Sequence, residues 1–328
     1  VITTPYTYSA TAAVIAHCGA KIVLCDLGEG GYEMDYERLA SLLNERTKAV
    51  IPVDIAGIPC DYARIYGALE EKRGFFAPQG PLQERLGRPL VLADAAHAFG
   101  ACRGGTPAGS LADMTVFSFH AVKNLTTCEG GCVVWRADLF PPEETWRALS
   151  LAALHGQSKT ALEKNAAGGW EYDIVTLGHK YNMTDLHAAV GLSQLGRYPA
   201  MLARRMALIG CYDQLLPPAG VETLRHRGEA FVSSGHLYMT RTPGMTGQQR
   251  NRVIARMAER GVACNVHYKP LPLMSAYRAL GFSPADFPRA LAQYENEITL
   301  PLHTLMSEGD AKRAAEAFLC CLQEEKLL

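Results

Sequence analysis

The sequence predicts an α/β fold with a mostly parallel sheet, and two observations carry the prediction. From residue 8 to residue 135 helical patterns alternate with short apolar runs, and those runs are near-continuously apolar, as in "KIVLCDL" and "PLVLADAA". Strands that are apolar on both sides belong to a sheet covered by helices on both faces.

The elements follow in order. "SATAAVIAHCG" reads as a helix closed by Gly19, "KIVLCDL" as a strand, "YERLASLLNER" as a helix, "KAVIPVDI" as a strand and "DYARIYGALEEK" as a helix. Residues 73–89 interrupt the rhythm with Pro and Gly and read as an inserted surface loop. The runs "PLVLADAA", "DMTVFSFH" and "GGCVVW" then supply further strands. In "TDLHAAVGLSQLGRY" the apolar positions Leu186, Ala189, Val190 and Leu195 share one helical face, with Thr184 or Asp185 as cap, and the helix is expected to bridge to a second unit. From about residue 220, "AFVSSGHLYMTRT", the amphipathic "RNRVIARMAERG", "VACNVHYKP" and the helix "GDAKRAAEAFLCCLQEE" predict a smaller α+β domain. The boundaries read as a large domain over 1–200 and, over 201–328, the bridging helix with the small C-terminal domain.

Composition excludes several functions. The chain has 328 residues, 48% of them apolar, enough for two packed domains. Its 32 basic and 33 acidic side chains nearly cancel, so no overall field draws it to nucleic acid or an anionic membrane. No apolar run approaches the roughly 18 residues of a membrane span, and no signal-peptide layout opens the chain. The ten cysteines are scattered, several inside apolar runs, and read as buried thiols of a reducing, cytoplasmic compartment. Cys128 and Cys132 have no second Cys or His pair at zinc-ligand spacing, and no metal is expected.

The chemistry gathers at strand ends, where sheets of this class bind ligands. "VLADAAH" ends a strand with Asp94 and places His97 three residues on; "TVFSFHAVKN" ends another with Ser118 and reaches Lys123 five residues later. Each has an ordinary alternative: a strand-end Asp is commonly a cap, and a Lys at its reference pKa of about 10.4 is neutral at pH 7 in only roughly one molecule in a few thousand. The joint arrangement carries the weight. An amine, a carboxylate, an imidazole and a hydroxyl suit pyridoxal phosphate, whose aldehyde needs a Lys and whose ring nitrogen needs an acid.

The run "ADAAHAFGACRGGTPAGSLADMTVFSFHAVKNLTTCEGG" resembles the DegT/DnrJ/StrS aminotransferases, sugar-modifying pyridoxal phosphate enzymes of fold type I, with their "DAAH" element, a "GS" before the next strand and "FSFHxxKxxTxGEGG". "TTPYTYSATAAVIAHCGAKIVLCDL", "GHKYNMTDLHAAVGLSQL", "GVACNVHYKPLPLM" and "YENEITLPLH" extend the resemblance over almost the whole chain. It implies a fold-type I large domain and a role for each matching residue. Lys123 would hold the cofactor as a Schiff base and shuttle the proton. Asp94 would pair with the ring nitrogen, His97 would sit by the ring or its hydroxyl, Tyr8 would stack on the ring face and Ser118 would bind the phosphate. Asn182 would reach the phosphate of the neighbouring subunit in a homodimer with shared active sites. Trp170, Tyr172, His267, Tyr268 and Lys269 are candidates for the substrate. Two positions depart from the family's pattern: Cys128 stands where Gly or Ala is usual, and His179 where Tyr is usual. The family's phosphate-cradling turn is expected ahead of Val1.

The implied reaction moves an amino group from glutamate or glutamine to a keto group of a nucleotide-linked deoxysugar, for cell-surface polysaccharide or secondary-metabolite sugars. One alternative is the dehydratase branch, in which His replaces the Schiff-base Lys; Lys123 argues against it. The other is a non-catalytic homologue with a scaffold or regulatory role.

Overall fold

The computed structural model describes residues 1–160 and 162–328. Its central sheet has six strands in the spatial order Val23–Leu24, Ile2–Thr3, Ala49–Ile51, Leu90–Asp94, Met114–Ser118 and Gly131–Trp135. The first five run parallel and the last antiparallel. Successive residues of one strand feed opposite cores. Val50, Val91 and Ala93 pack with Leu39 and Ile65 on one face, while Ile51, Val53 and Leu92 pack with Ile15 and Leu24 on the other. This two-sided burial is why the runs read as continuous rather than alternating.

The helices begin and end where their capping residues put them. Ser9–His17 is closed by Gly19 at φ +66, a left-handed conformation that suits glycine. Tyr36–Leu42 and Tyr62–Glu71 start at Asp35 and Asp61, whose side chains accept backbone N–H groups of the first turn.

A second, three-stranded antiparallel sheet orders Glu297–Leu300, Tyr238–Arg241 and Glu222–Thr223. Its core side carries Ile298 and Leu300 and packs against the helices Tyr198–Asp213, Gly247–Glu259 and Glu308–Glu324.

Four expectations are corrected. The run "AFVSSGHLYMTRT" splits: Phe231–Val232 leaves the second sheet and pairs with Cys102–Arg103 in a separate three-stranded sheet. The guanidinium of Arg103 lies over the Phe231 ring, a long-range contact that no local pattern encodes. The excursion 73–89 is not all loop, because Pro81–Leu86 forms a short helix with Pro in its first turn and Gly87 at φ +61 as its stop. The thiols are not all buried, since Cys18, Cys128 and Cys320 are exposed. Finally, the apolar face of Asp185–Leu195 is not covered by a second unit of the same chain: Leu186 is 81%, Leu195 50% and Val190 36% exposed. No described helix is long and apolar enough to cross a membrane.

Candidate active site

The carboxyl ends of two neighbouring parallel strands build the site. Asp94 is the last residue of its strand and stands opposite Val116, so Ser118, two residues further along the partner, emerges at the same edge. The chain then turns. Phe119 N–H donates to the Gly130 carbonyl at 2.8 Å and Thr127 N–H to the Phe119 carbonyl at 2.8 Å, closing a loop that carries Lys123. Within it, Lys123 N–H donates to the His120 carbonyl at 2.9 Å. Cys128 sits at φ +67, the left-handed region in which glycine is easiest. A glycine there would therefore have a backbone reason, and this chain holds an exposed cysteine in the same conformation.

Two side chains that sequence reading missed clamp this loop. Gln194 donates to the Thr126 carbonyl at 2.8 Å and accepts the Thr126 N–H at 3.2 Å. Asn124, next to the lysine, donates to the Ser234 carbonyl at 2.8 Å, which leaves its Oδ1 to accept from His236 Nδ1 at 2.9 Å.

Asp94 is held by two donors: the Thr11 hydroxyl at 2.6 Å on Oδ2 and the Ala96 N–H at 3.2 Å on Oδ1. Lys123 is half-buried; burial lowers its pKa, and the Asp94 carboxylate opposes that shift. His97 is buried and its protonation is legible from its partners. Ala56 N–H donates to Nδ1 at 3.2 Å, so the ring proton sits on Nε2 and donates to the Tyr268 hydroxyl at 3.0 Å. Burial first, then the neighbouring basic groups His236, Lys123 and His267, holds His97 well below the usual imidazole range, so it is neutral. The His236 ring lies beside it, centroids 4.4 Å apart and tilted by 38°, and is depressed for the same first reason.

Tyr268 also approaches Tyr8, ring centroids 6.3 Å apart, and the Tyr8 ring is 65% exposed at the mouth of helix Ser9–His17. His267 precedes Tyr268; burial, then the Lys123 charge, pushes its pKa down to about 4. Tyr8, Asp94, His97, Lys123, His267 and Tyr268 thus stand within contact or electrostatic reach of one another, with Ser118 at the same edge. Lys269 is exposed. Trp170, Tyr172 and Asn182 are exposed on the segment before Asp185–Leu195: Tyr172 lies under the Lys164 ammonium at 4.6 Å, and Asn182 bonds the Lys180 ammonium. Neither aromatic belongs to the core. His179 is exposed as well and stacks on Tyr181 at 4.8 Å.

The donor set fits pyridoxal phosphate: a carboxylate fixed by two donors for the ring nitrogen, an amine of lowered basicity for the aldehyde, an exposed aromatic face and a hydroxyl for the phosphate.

Comparison with known proteins agrees with this reading. Residues 1–319 match the DegT/DnrJ/EryC1/StrS aminotransferase family. The Streptococcus pneumoniae protein Spr1654, assigned as a sugar aminotransferase, superposes in its pyridoxamine phosphate form with a TM-score of 0.95 at 45% identity, over 100% of this chain and 82% of that one. Its pyridoxal phosphate form gives 0.94 at 44% identity, over 100% and 81%. PseC of Helicobacter pylori, an aminotransferase involved in the biosynthesis of pseudoaminic acid, superposes at 0.83 with 27% identity, over 98% and 79%. The spore coat polysaccharide biosynthesis protein SpsC of Bacillus subtilis is 34% identical over 328 residues, 97% of this chain and 77% of that protein.

Proposed function

The chain belongs to the DegT/DnrJ/EryC1/StrS aminotransferase family and is a pyridoxal phosphate-dependent transaminase; from that premise we propose that it transfers an amino group from glutamate or glutamine to a keto group of a nucleotide-linked deoxysugar. The product would serve polysaccharide or secondary-metabolite sugar synthesis, a reading supported by the likeness to Spr1654, PseC and SpsC. The single observation that carries it is that half-buried Lys123, on the loop that follows Met114–Ser118, lies within electrostatic reach of Asp94 at the end of the neighbouring strand.

When bound, the cofactor supplies an aldehyde that takes up the amino group and a protonated ring that draws electrons from the reacting carbon. The chain's own residues would do the rest. Lys123, made less basic by burial, holds the cofactor and then moves a proton to and from the reacting carbon. Asp94, fixed by Thr11 and Ala96, would face the ring nitrogen. Neutral His97 donates from Nε2 to Tyr268, leaving the Tyr268 proton free for a ligand. Tyr8 covers one ring face, and Ser118 donates to the phosphate. Trp170, Tyr172, His267, Tyr268 and Lys269 remain the candidates for the sugar nucleotide. Residues 1–200 would act as the cofactor-binding domain and 201–328 as the small domain with its bridging helix.

Purified protein with pyridoxal phosphate is expected to show the bound cofactor's visible absorbance, and borohydride should fix the cofactor onto Lys123. A panel of keto-sugar nucleotides with glutamate then identifies the acceptor. Lys123→Ala should lose both the covalent fixation and amino transfer. If that variant keeps the wild-type spectrum and transfer rate, the assignment is wrong.

A further inference from the structure

One hydrogen-bonded chain ends beside Lys123 on His267, and its other members, Glu297 and Thr299, have no part in the reaction as described above. It begins on the strand Glu297–Leu300, where alternation puts Ile298 and Leu300 into the core and Glu297 and Thr299 together on the opposite face. The segment carrying His267 runs antiparallel beside that strand: Thr299 N–H donates to the Asn265 carbonyl at 2.8 Å, and Asn265 N–H to the Thr299 carbonyl at 3.1 Å. This register brings three groups into line. His267 N–H donates to Glu297 Oε2 at 2.8 Å, the Thr299 hydroxyl bonds Glu297 Oε1, and Thr299 Oγ1 lies 2.9 Å from His267 Nδ1. Glu297 is fully buried. The other ring nitrogen of His267, Nε2, has no protein hydrogen-bond partner among the described residues and is not one of the sealed, unpartnered polar atoms. It is therefore open to a ligand beside Lys123.

We propose that Glu297, acting through Thr299, sets which ring nitrogen of His267 carries the proton, and so decides whether Nε2 meets the sugar substrate as a hydrogen-bond donor or as an acceptor. This rests on the reading of the Lys123 site as the place where a keto sugar is aminated.

The proton count fixes the two settings. Oε2 is committed as acceptor of the His267 backbone N–H, so a proton on the carboxyl must sit on Oε1. With Glu297 protonated, Oε1–H donates to Thr299 Oγ1, the Thr299 hydroxyl donates to His267 Nδ1, and the imidazole proton is on Nε2, a donor. With Glu297 ionised, the Thr299 hydroxyl turns to Oε1, His267 Nδ1–H donates to Oγ1, and Nε2 offers a lone pair. Between the two, one proton enters or leaves at the carboxyl, the hydroxyl rotates, and the imidazole shifts its own proton through water while staying neutral.

The surroundings favour the first setting at neutral pH. Burial pushes Glu297 up to about 8, opposed by its hydrogen bonds from Thr299 and the His267 N–H and by Arg250. The other groups facing it are Tyr6, Tyr32, Cys264, Tyr268 and, opposite in strand register, Arg241. His267 itself faces Lys123, His97 and His236 and is held neutral at about 4. Below about 8 the donor setting therefore dominates, and neutral His267 offers Nε2–H to a substrate oxygen.

The test reads the tautomer directly. The full chain, labelled with 15N-histidine and loaded with pyridoxal phosphate, is followed by long-range 1H–15N correlation across that pKa, with the His267 signal identified by its loss in His267→Asn. Wild type should pass from the Nε2–H to the Nδ1–H tautomer as Glu297 ionises. Glu297→Gln should stay Nε2–H throughout, because the amide accepts from His267 N–H and donates to Thr299. Thr299→Val should show no pH step. A wild type with one tautomer at every pH, or a step that survives in Thr299→Val or Glu297→Gln, overturns the proposal. In kinetics, the wild-type KM for the keto sugar should change through the same pH, and that change should vanish in Glu297→Gln while kcat keeps its own profile. Amino transfer by wild type is scored separately: transfer without the tautomer step defeats the relay alone, and the step without transfer defeats the substrate reading alone.

Discussion

Asp94 owes its fixed position to donors that lie far away in sequence. Thr11 reaches its Oδ2 from 83 residues upstream, and Thr7 bonds the Thr11 hydroxyl in turn at 2.8 Å. Replacing Thr11 with the isosteric Val removes a charge-assisted bond to the carboxylate and leaves the buried Thr7 hydroxyl without its partner. The expected loss is about 1.5–3 kcal/mol, read as a drop in urea unfolding free energy, together with weaker retention of pyridoxal phosphate in equilibrium dialysis. Unchanged stability and cofactor affinity would mean that Asp94 does not depend on this donor. The case also shows what was legible at this scale. Asp94, His97, Ser118 and Lys123 stand out because their spacing follows strand ends. Thr11, Asn124, Gln194 and His236 do not, because a neutral polar residue signals nothing until its partner, often a hundred positions away, is seen beside it.

Among the elements, the turn Ile55–Gly57 constrains the site most tightly. Ala56 has φ 53 and Gly57 φ +89, and the turn accepts Ser234 N–H on the Gly57 carbonyl at 3.0 Å and His236 N–H on the Ala56 carbonyl at 3.2 Å. A Cβ on Gly57 would lie 1.9 Å from Ser234 Oγ and 2.7 Å from the His97 carbonyl oxygen. The Ser234 hydroxyl, itself bonded to that carbonyl, cannot swing clear without losing its partner. Gly57→Ala should therefore cost roughly 2–5 kcal/mol, from left-handed strain plus overpacking, and should release cofactor as His97 shifts. Calorimetry that finds the variant as stable as wild type would show that the 233–236 segment gives way. Helices with caps, such as Tyr36–Leu42 after Asp35, could be placed from sequence. The helix Pro142–Ala153 escaped notice although Pro142, Glu143 and Glu144 mark its first turn, and none of its residues is buried. Phe231–Val232 was misplaced because strand pairing is set by the partner, which here is Cys102–Arg103.

At the scale of the whole molecule, one surface of the single chain is unlike the rest. Between Trp170 and Leu195 the exposed side chains include Trp170 (76%), Leu177 (97%), Tyr181 (74%), Leu186 (81%) and Leu192 (72%). Such a run of large apolar groups is far denser than the scattered exposure of an ordinary surface. Each Leu taken out of water is worth about 1.5–3 kcal/mol, so an identical surface on a second copy is a fitting partner, as the homodimer implied by the family resemblance would require. The same segment carries Asn182 and packs on the lysine loop through Gln194. Docking two copies would thus bring polar groups of one chain to the edge of the other's cofactor site. Leu186→Glu paired with Leu192→Glu places two charges in that interface. Sedimentation should then show a monomer, with cofactor retention and amino transfer lost together, while circular dichroism stays that of the folded chain. Asn182→Ala should instead leave the dimer intact and weaken cofactor retention alone. A wild-type chain that sediments as a fully active monomer would refute the shared site, whatever the two variants do.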